Sequence, residues 1–155
     1  MSRNADWRDF GHAWTTATPS SRRASRFCSD HPCRDVGDPA IFSKLSEIAP
    51  VVAVRGNVDR GGWAKTLPLT NLLEVEGITI YILHNLEDLD LKPEAARFAA
   101  VIYGHSHIPK HEVKNGVLYF NPGSAGPKRF RLPVTLGKLI ITDGQIEGQI
   151  VQLVP

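Results

Sequence analysis

The run Val101-Ile-Tyr-Gly-His-Ser-His-Ile-Pro109 leads an apolar segment, Ala99 to Tyr103, into a glycine and two histidines spaced two apart. Valine, isoleucine and tyrosine favour a buried strand. Gly104 then lets the backbone turn sharply as it leaves the sheet. Residues i and i+2 of an extended or turning chain can point the same way, so His105 and His107 can share one side. Two imidazoles beyond a strand's carboxyl end suit a metal site, in the crevice where open α/β sheets bind ligands. A pair of surface histidines in a loop is the plainer alternative, and the surrounding sequence decides between them.

The chain has 155 residues, enough for one domain with a substantial core. Its net charge of +2 gives no global sign of nucleic-acid binding. No apolar run is long enough to cross a membrane and no secretory signal opens the chain, so a cytoplasmic location is expected. Cys28 and Cys33 lie close together near the start, which does not suggest a disulfide framework. The totals conceal a break. Residues 1–34 contain no Ile, Leu or Val and hold six Arg against three Asp, whereas residues 35–155 carry 12 basic and 13 acidic side chains and are rich in aliphatics. The first segment therefore reads as a weakly ordered arm, lacking the side chains of a buried strand or helix.

From Asp35 onward the pattern is regular. Asp38 and Pro39 suit a helix start, and Ile41, Phe42, Leu45 and Ile48 form an apolar stripe ended by Pro50. Val51 to Val54 reads as a buried strand running into the polar turn Arg55-Gly-Asn-Val-Asp-Arg60. Leu72 to Val75 and Ile78 to Leu83 are two strands about Glu76-Gly77, the second leading into His84. Glu87 to Asp90 suits a loop and Pro93 to Phe98 a short helix. Hairpins are expected about Asn115-Gly116 and Asp143-Gly144, with Asn121-Pro-Gly-Ser124 as a turn.

Several polar groups thus follow apolar strands: Asn57 and Asp59, His84, then His105 and His107, with Asp35 ahead of the helix. Carboxylate, amide and imidazole donors suit Mn, Fe, Zn or Ni rather than a thiolate site. Each has an ordinary alternative: Asp35 a loop carboxylate, Asn57 a turn former, His84 a half-buried imidazole. His111 follows no strand end and reads as surface.

In this ordered set the chain resembles the calcineurin-like metallophosphoesterases, in particular their small bacterial phosphodiesterase branch. The resemblance rests on Asp35 with Gly37-Asp-Pro39, Val54-Arg-Gly-Asn-Val-Asp59, His84, Gly104-His-Ser-His107 and Asn121-Pro-Gly-Ser-Ala-Gly126, and covers residues 35–155. It implies an α/β fold of two facing β-sheets flanked by helices, with two divalent metal ions bridged by water or hydroxide. Manganese is the expected metal, with nickel, iron, zinc or magnesium as alternatives. By matching motif, Asp35 would bridge the metals, Asn57, His84 and His105 would hold one, and His107 the other. Two cations about 3.5–4 Å apart activate water and clamp phosphate oxygens during in-line attack. Asn57, Asp59 and His105 are the residues expected to serve catalysis, Asp59 by supporting Asn57 or positioning solvent. Lys128, Arg129 and Arg131 read as a solvated loop in preference to a steering patch. The expected partner is a phosphodiester substrate, with no membrane and with self-association left open. The rival is a protein-binding scaffold, since a eukaryotic retromer subunit shares this fold and serves mainly in assembly.

Three departures stand out. Val58 occupies the place where many members have a leaving-group histidine, and valine cannot donate a proton. Asn85 replaces a common glycine, for which there is no account. The family also opens with a strand ending in Asp-x-His and a second ending in His-Ala-Gly-Asp, and neither is present. Asp30 and His31 are adjacent and nearly abut Asp35. Codons for Asp6 to Thr15, read one base later, permit Ile-Gly-Val-Ile-Ser-Asp-Thr-His-Gly, and those for Ser29 to Arg34 permit Ile-Ile-His-Ala-Gly. Residues 1–34 are therefore expected to be a frame-shifted translation of the family's opening, with residues 35–155 as the metallophosphoesterase domain. That reading also displaces a zinc site at Cys28, His31 and Cys33. It predicts at most one well-held metal and impaired turnover.

Overall fold

The structure is a computed structural model that describes residues 13–17, 24–28, 39–57, 59–126 and 131–153, the first two stretches by their backbone. In chain order the strands are β1 (Ala13–Ala17), β2 (Ala24–Cys28), β3 (Val51–Val52), β4 (Thr70–Val75), β5 (Ile78–Leu83), β6 (Ala100–Ile102), β7 (Lys110–Lys114), β8 (Val117–Asn121), β9 (Thr135–Thr142) and β10 (Gln145–Gln152), with helix α1 (Pro39–Ser46) between β2 and β3. They form two five-stranded sheets, ordered β10-β9-β2-β1-β3 and β4-β5-β6-β8-β7.

The expected two-sheet α/β architecture is present. In the second sheet β5, β6 and β8 are mutually parallel, with antiparallel β4 and β7 at the edges. Parallel strands of this kind are covered on both faces, which accounts for the unbroken apolar runs. On the inner face Ile80, Ile82, Ile102, Leu118 and Phe120 meet Leu139 and Ile141 of the first sheet. On the outer face Tyr81, Leu83, Val101 and Tyr103 pack beneath Leu86, Leu89 and Phe98. Tyr81 and Phe98 stack with centroids 5.3 Å apart. Phe120, fully buried, projects across to the first sheet at Gly137 and Gly148, where an added Cβ would run into its ring.

Three hairpins form at the expected dipeptides. Each turn has two left-handed residues: Glu76 and Gly77 (φ 50 and 80), Asn115 and Gly116 (49 and 78), Asp143 and Gly144 (52 and 74). This pairing matches the twist of the flanking strands.

Four expectations need correction. The first segment, read as a weakly ordered arm, contributes β1 and β2, with β1 antiparallel to β3 and β2 antiparallel to β9. Ladder hydrogen bonds join backbone groups, so the lack of aliphatics did not prevent pairing. Pro93 to Phe98 forms successive turns rather than a helix, closing with Phe98 N–H to the Pro93 carbonyl (2.9 Å) after a left-handed Arg97 (φ 59). The strand expected over Val51–Val54 pairs only at Val51 and Val52, although Ala53 and Val54 are buried. Ile48 lies beyond the end of α1 and is exposed, while Ile41 and Leu45 are buried as the stripe requires. Asp38, Asp30 and His31 lie outside the described residues.

Candidate metal centre

The parallel order of β5, β6 and β8 brings three carboxyl ends to one edge. Beyond them follow His84, the Gly104–His107 turn and Asn121. Backbone bonds continue the ladder into these loops: Gly104 N–H donates to the His84 carbonyl (2.9 Å) and Tyr103 N–H to the Phe120 carbonyl (3.1 Å). The fourth contribution is the turn after Val54, tied down by Arg55 N–H to the Pro68 carbonyl (2.8 Å).

At this edge Asn57, His84 and His105 converge. His84 Nε2 lies 3.1 Å from Asn57 Oδ1 and 3.0 Å from His105 Nδ1. The two rings meet nearly perpendicular, at 84°. A neutral imidazole nitrogen carries one hydrogen or one lone pair, so it cannot satisfy both neighbours fully. A cation can: donors about 2.1 Å from one octahedral ion lie about 3.0 Å from each other. The donor set and its spacing therefore fit a divalent metal.

The backbone at His105 is built for this position. Ser106 N–H donates to the Gly104 carbonyl at 2.8 Å, a bond spanning two residues, and His105 has φ 65. That is a γ-turn with a left-handed centre, a rare and strained conformation. His107 is also left-handed, with φ 57. Such strain, of order 1–3 kcal/mol per residue, persists only where the surroundings over-determine it. Asn121 supplies that constraint. Fully buried, its amide nitrogen donates to the Gly104 carbonyl (2.9 Å) and to Ser106 Oγ (3.1 Å), while its Oδ1 accepts from Gly123 N–H (2.9 Å). Asn121 thus clamps the histidine turn, a role that the sequence reading of a simple turn did not assign. The signal was an asparagine at the end of an apolar strand immediately before Pro-Gly.

Asp59 is buried and its Oδ2 accepts from Gly56 N–H at 2.9 Å, pinning the backbone next to Asn57. Among the described residues no three His, Cys, Asp or Glu side chains gather closely enough to hold an ion. His107 and Asp59 accordingly do not complete a three-residue cluster of that kind with His84 and His105. Asp35, Val58, Lys128 and Arg129 lie outside the described residues, and Arg131 is exposed. His111 is exposed, its ring set edge-on to Phe120 at 6.0 Å.

Beside the donors opens a cleft of about 730 Å³, lined by Asn57 and His84 and by Arg55, Leu69, Tyr81 and Asp88 among others.

The calcineurin-like phosphoesterase superfamily domain matches residues 27–144. The chain belongs to that superfamily. Among its relatives is a probable metallophosphoesterase of Methanocaldococcus jannaschii, 30% identical over 129 residues, with 78% of this chain and 64% of the relative aligned. Phosphodiesterase YfcE of Escherichia coli is 29% identical over 107 residues, covering 64% of this chain and 58% of that enzyme. The chain therefore spans less than two thirds of the length of these two proteins. Vacuolar protein sorting 29 of Cryptosporidium parvum shares the fold, with TM-score 0.58, 16% identity, and 79% and 80% of the two chains covered.

Proposed function

We propose that this chain is a metal-dependent phosphoesterase acting on phosphodiesters. Asn57, His84 and His105 would hold one divalent cation, and by family motif Asp35 and His107 would serve a second. The cations, when bound, supply Lewis-acid activation of water and neutralise charge on the phosphate oxygens. The chain's own contributions follow from its residues. The Asn121 clamp holds His105 in a turn that an unconstrained histidine would leave. Asp59 fixes the peptide before Asn57. Val58 offers no proton to a leaving group, so the reaction suits esters of acidic alcohols or protonation by solvent. The observation that carries the reading is the convergence of the three donors at one sheet edge.

The site is incomplete as written. The strand β1, Ala-Trp-Thr-Thr-Ala, supplies no Asp-x-His, so turnover should be weak. We attribute this to a shifted reading frame over residues 1–34, with residues 35–155 as the domain proper. Intact-mass measurement on the natural protein and resequencing of the gene's start test the attribution; a gene that encodes residues 1–34 unshifted refutes it. For the function, manganese content and hydrolysis of bis(p-nitrophenyl) phosphate are compared before and after combining His84→Ala with His105→Ala. Loss of bound manganese and of activity is expected. Unchanged metal content in the double variant would overturn the reading.

A second reading is a protein-binding scaffold, favoured by the missing Asp-x-His together with the likeness to vacuolar protein sorting 29. Partner binding that survives alanine at His84, His105 and His107, with no metal uptake by the parent chain, would support it.

A further inference from the structure

The cleft beside the donors is lined by both apolar and acidic residues. Its floor is apolar, formed by the buried Tyr81 and Leu83, with Leu69 as an exposed wall. Thr70, Asp88 and Asp90 stand around it, with Arg55 and the Gly56–Asn57 peptide on the donor side. Among the described lining residues the carboxylates Asp59, Asp88 and Asp90 outnumber the single cation Arg55. Asp59 is turned to the Gly56 amide, leaving Asp88 and Asp90, both exposed, to face whatever enters.

An anionic rim over an apolar floor is a poor bed for a polyanion. Nucleic-acid grooves track the backbone with positive charge, and each phosphate near a carboxylate meets repulsion that cleft walls intensify. The same rim accepts hydrogen bonds from hydroxyl and amine groups and attracts a cation. A volume of about 730 Å³ is in the range of a small-molecule pocket. The cleft shares Asn57 and His84 with the donor cluster, so a phosphate at the donors would leave one ester group beside it.

We infer that this cleft receives the alcohol group of a small phosphodiester, a compact hydroxyl- or amine-bearing group without negative charge, and disfavours a nucleic-acid strand. The inference rests on the proposed phosphodiester reading and specifies its substrate. Asp88 and Asp90 are specificity-determining residues at the rim, and neither is part of the donor set.

The test is binding, so that it does not depend on turnover. Isothermal titration in manganese at 0.15 M salt compares glycerophosphocholine with tetrathymidylate, on the full chain and on its Asp88→Asn, Asp90→Asn double variant. Glycerophosphocholine should bind roughly tenfold more tightly than tetrathymidylate, and the double variant should cut that preference to about threefold or less, as expected when rim charges set discrimination. Manganese titration of the same samples separates the two readings. If manganese binds but glycerophosphocholine holds no advantage, or if the double variant keeps the full preference, the cleft assignment is overturned while the metal reading stands. If neither probe nor manganese binds, both fall.

Discussion

The two sheets of this molecule prepare their edges very differently. In the second sheet, parallel β5, β6 and β8 end side by side, and each passes directly into a functional loop: His84, the His105 turn, and Asn121. In the first sheet, β1 and β2 run antiparallel through Ala-Trp-Thr-Thr-Ala and Ala-Ser-Arg-Phe-Cys, with no imidazole or carboxylate in either strand. The loops after β5 and β6 bring His84 and His105, and the turn after β3 brings Asn57, with Asn57 Oδ1 and His105 Nδ1 at 3.1 and 3.0 Å from His84 Nε2; β1 and β2 bring no donor of this kind. A backbone ladder can be completed by almost any sequence, because its bonds join main-chain groups. A donor cluster cannot, because it needs particular side chains at the strand ends. A backbone ladder therefore tolerates sequences that a donor cluster does not.

The sharpest way to probe this contrast is to give the first sheet the text it lacks. If residues 1–34 are frame-shifted as proposed, a chain with the frame restored should take up a second manganese and hydrolyse bis(p-nitrophenyl) phosphate roughly a hundredfold faster or more, the scale on which one preorganised electrostatic group acts. Equal activity of the two chains, with equal metal content, would erase the distinction between the edges.

Next in size is the clamp on the second sheet's edge. Asn121→Ala removes three hydrogen bonds from a fully buried site, leaving Ser106 N–H as the donor to the Gly104 carbonyl. A loss of about 2–4 kcal/mol is expected in urea unfolding, since unsatisfied buried groups cost about 1–3 kcal/mol each. Manganese affinity should fall with it, because His105 would relax out of its left-handed turn. A variant that loses stability but keeps its metal affinity would show that the turn does not need the clamp.

The contact between the sheets is tested by Gly137→Ala. The new methyl would meet the Phe120 ring and Pro122 Cβ, the latter at 2.8 Å. Overpacking of this kind costs about 1–3 kcal/mol, read as a lower thermal midpoint.

The smallest effect lies at Tyr103, just past β6. Burial pushes its phenol above the ordinary value of 10.0, with Lys110 opposing and Glu112 adding to the shift. The folded state thus holds the proton more firmly than the unfolded chain. The stabilisation is complete below pH 10 and is lost as pH rises through the folded value. Alkaline unfolding of Tyr103→Phe should show a shallower decline above that point than the parent; parallel curves would assign the loss to other groups.

Much of this was legible in the residues. Period-two and continuous apolar runs marked β4 to β6 and β8 to β10, and Glu76-Gly77, Asn115-Gly116 and Asp143-Gly144 marked the turns, because left-handed pairs demand those residues. The candidate donors Asn57, His84 and His105 were visible as polar residues beyond strand ends. Pro93 to Phe98 was misjudged because its local text suits a helix, while the chain closes there in successive turns about a left-handed Arg97. The pairing of β1 and β2 was hidden for another reason: it depends on neighbours far along the chain, β3 and β9, rather than on local text.

Taken by itself, the sequence determined the chemistry of the donors and the order in which the strands present them, since side-chain type and strand-end position are local properties. Only the tertiary structure decided that Asn57, His84 and His105 meet, that Asn121 holds the strained turn between them, and that an acidic-rimmed cleft opens alongside. Those outcomes depend on which elements lie next to each other: parallel neighbours β5 and β6 bring together His84 and His105, 21 positions apart, and the turn after β3 of the other sheet brings Asn57, 27 positions before His84.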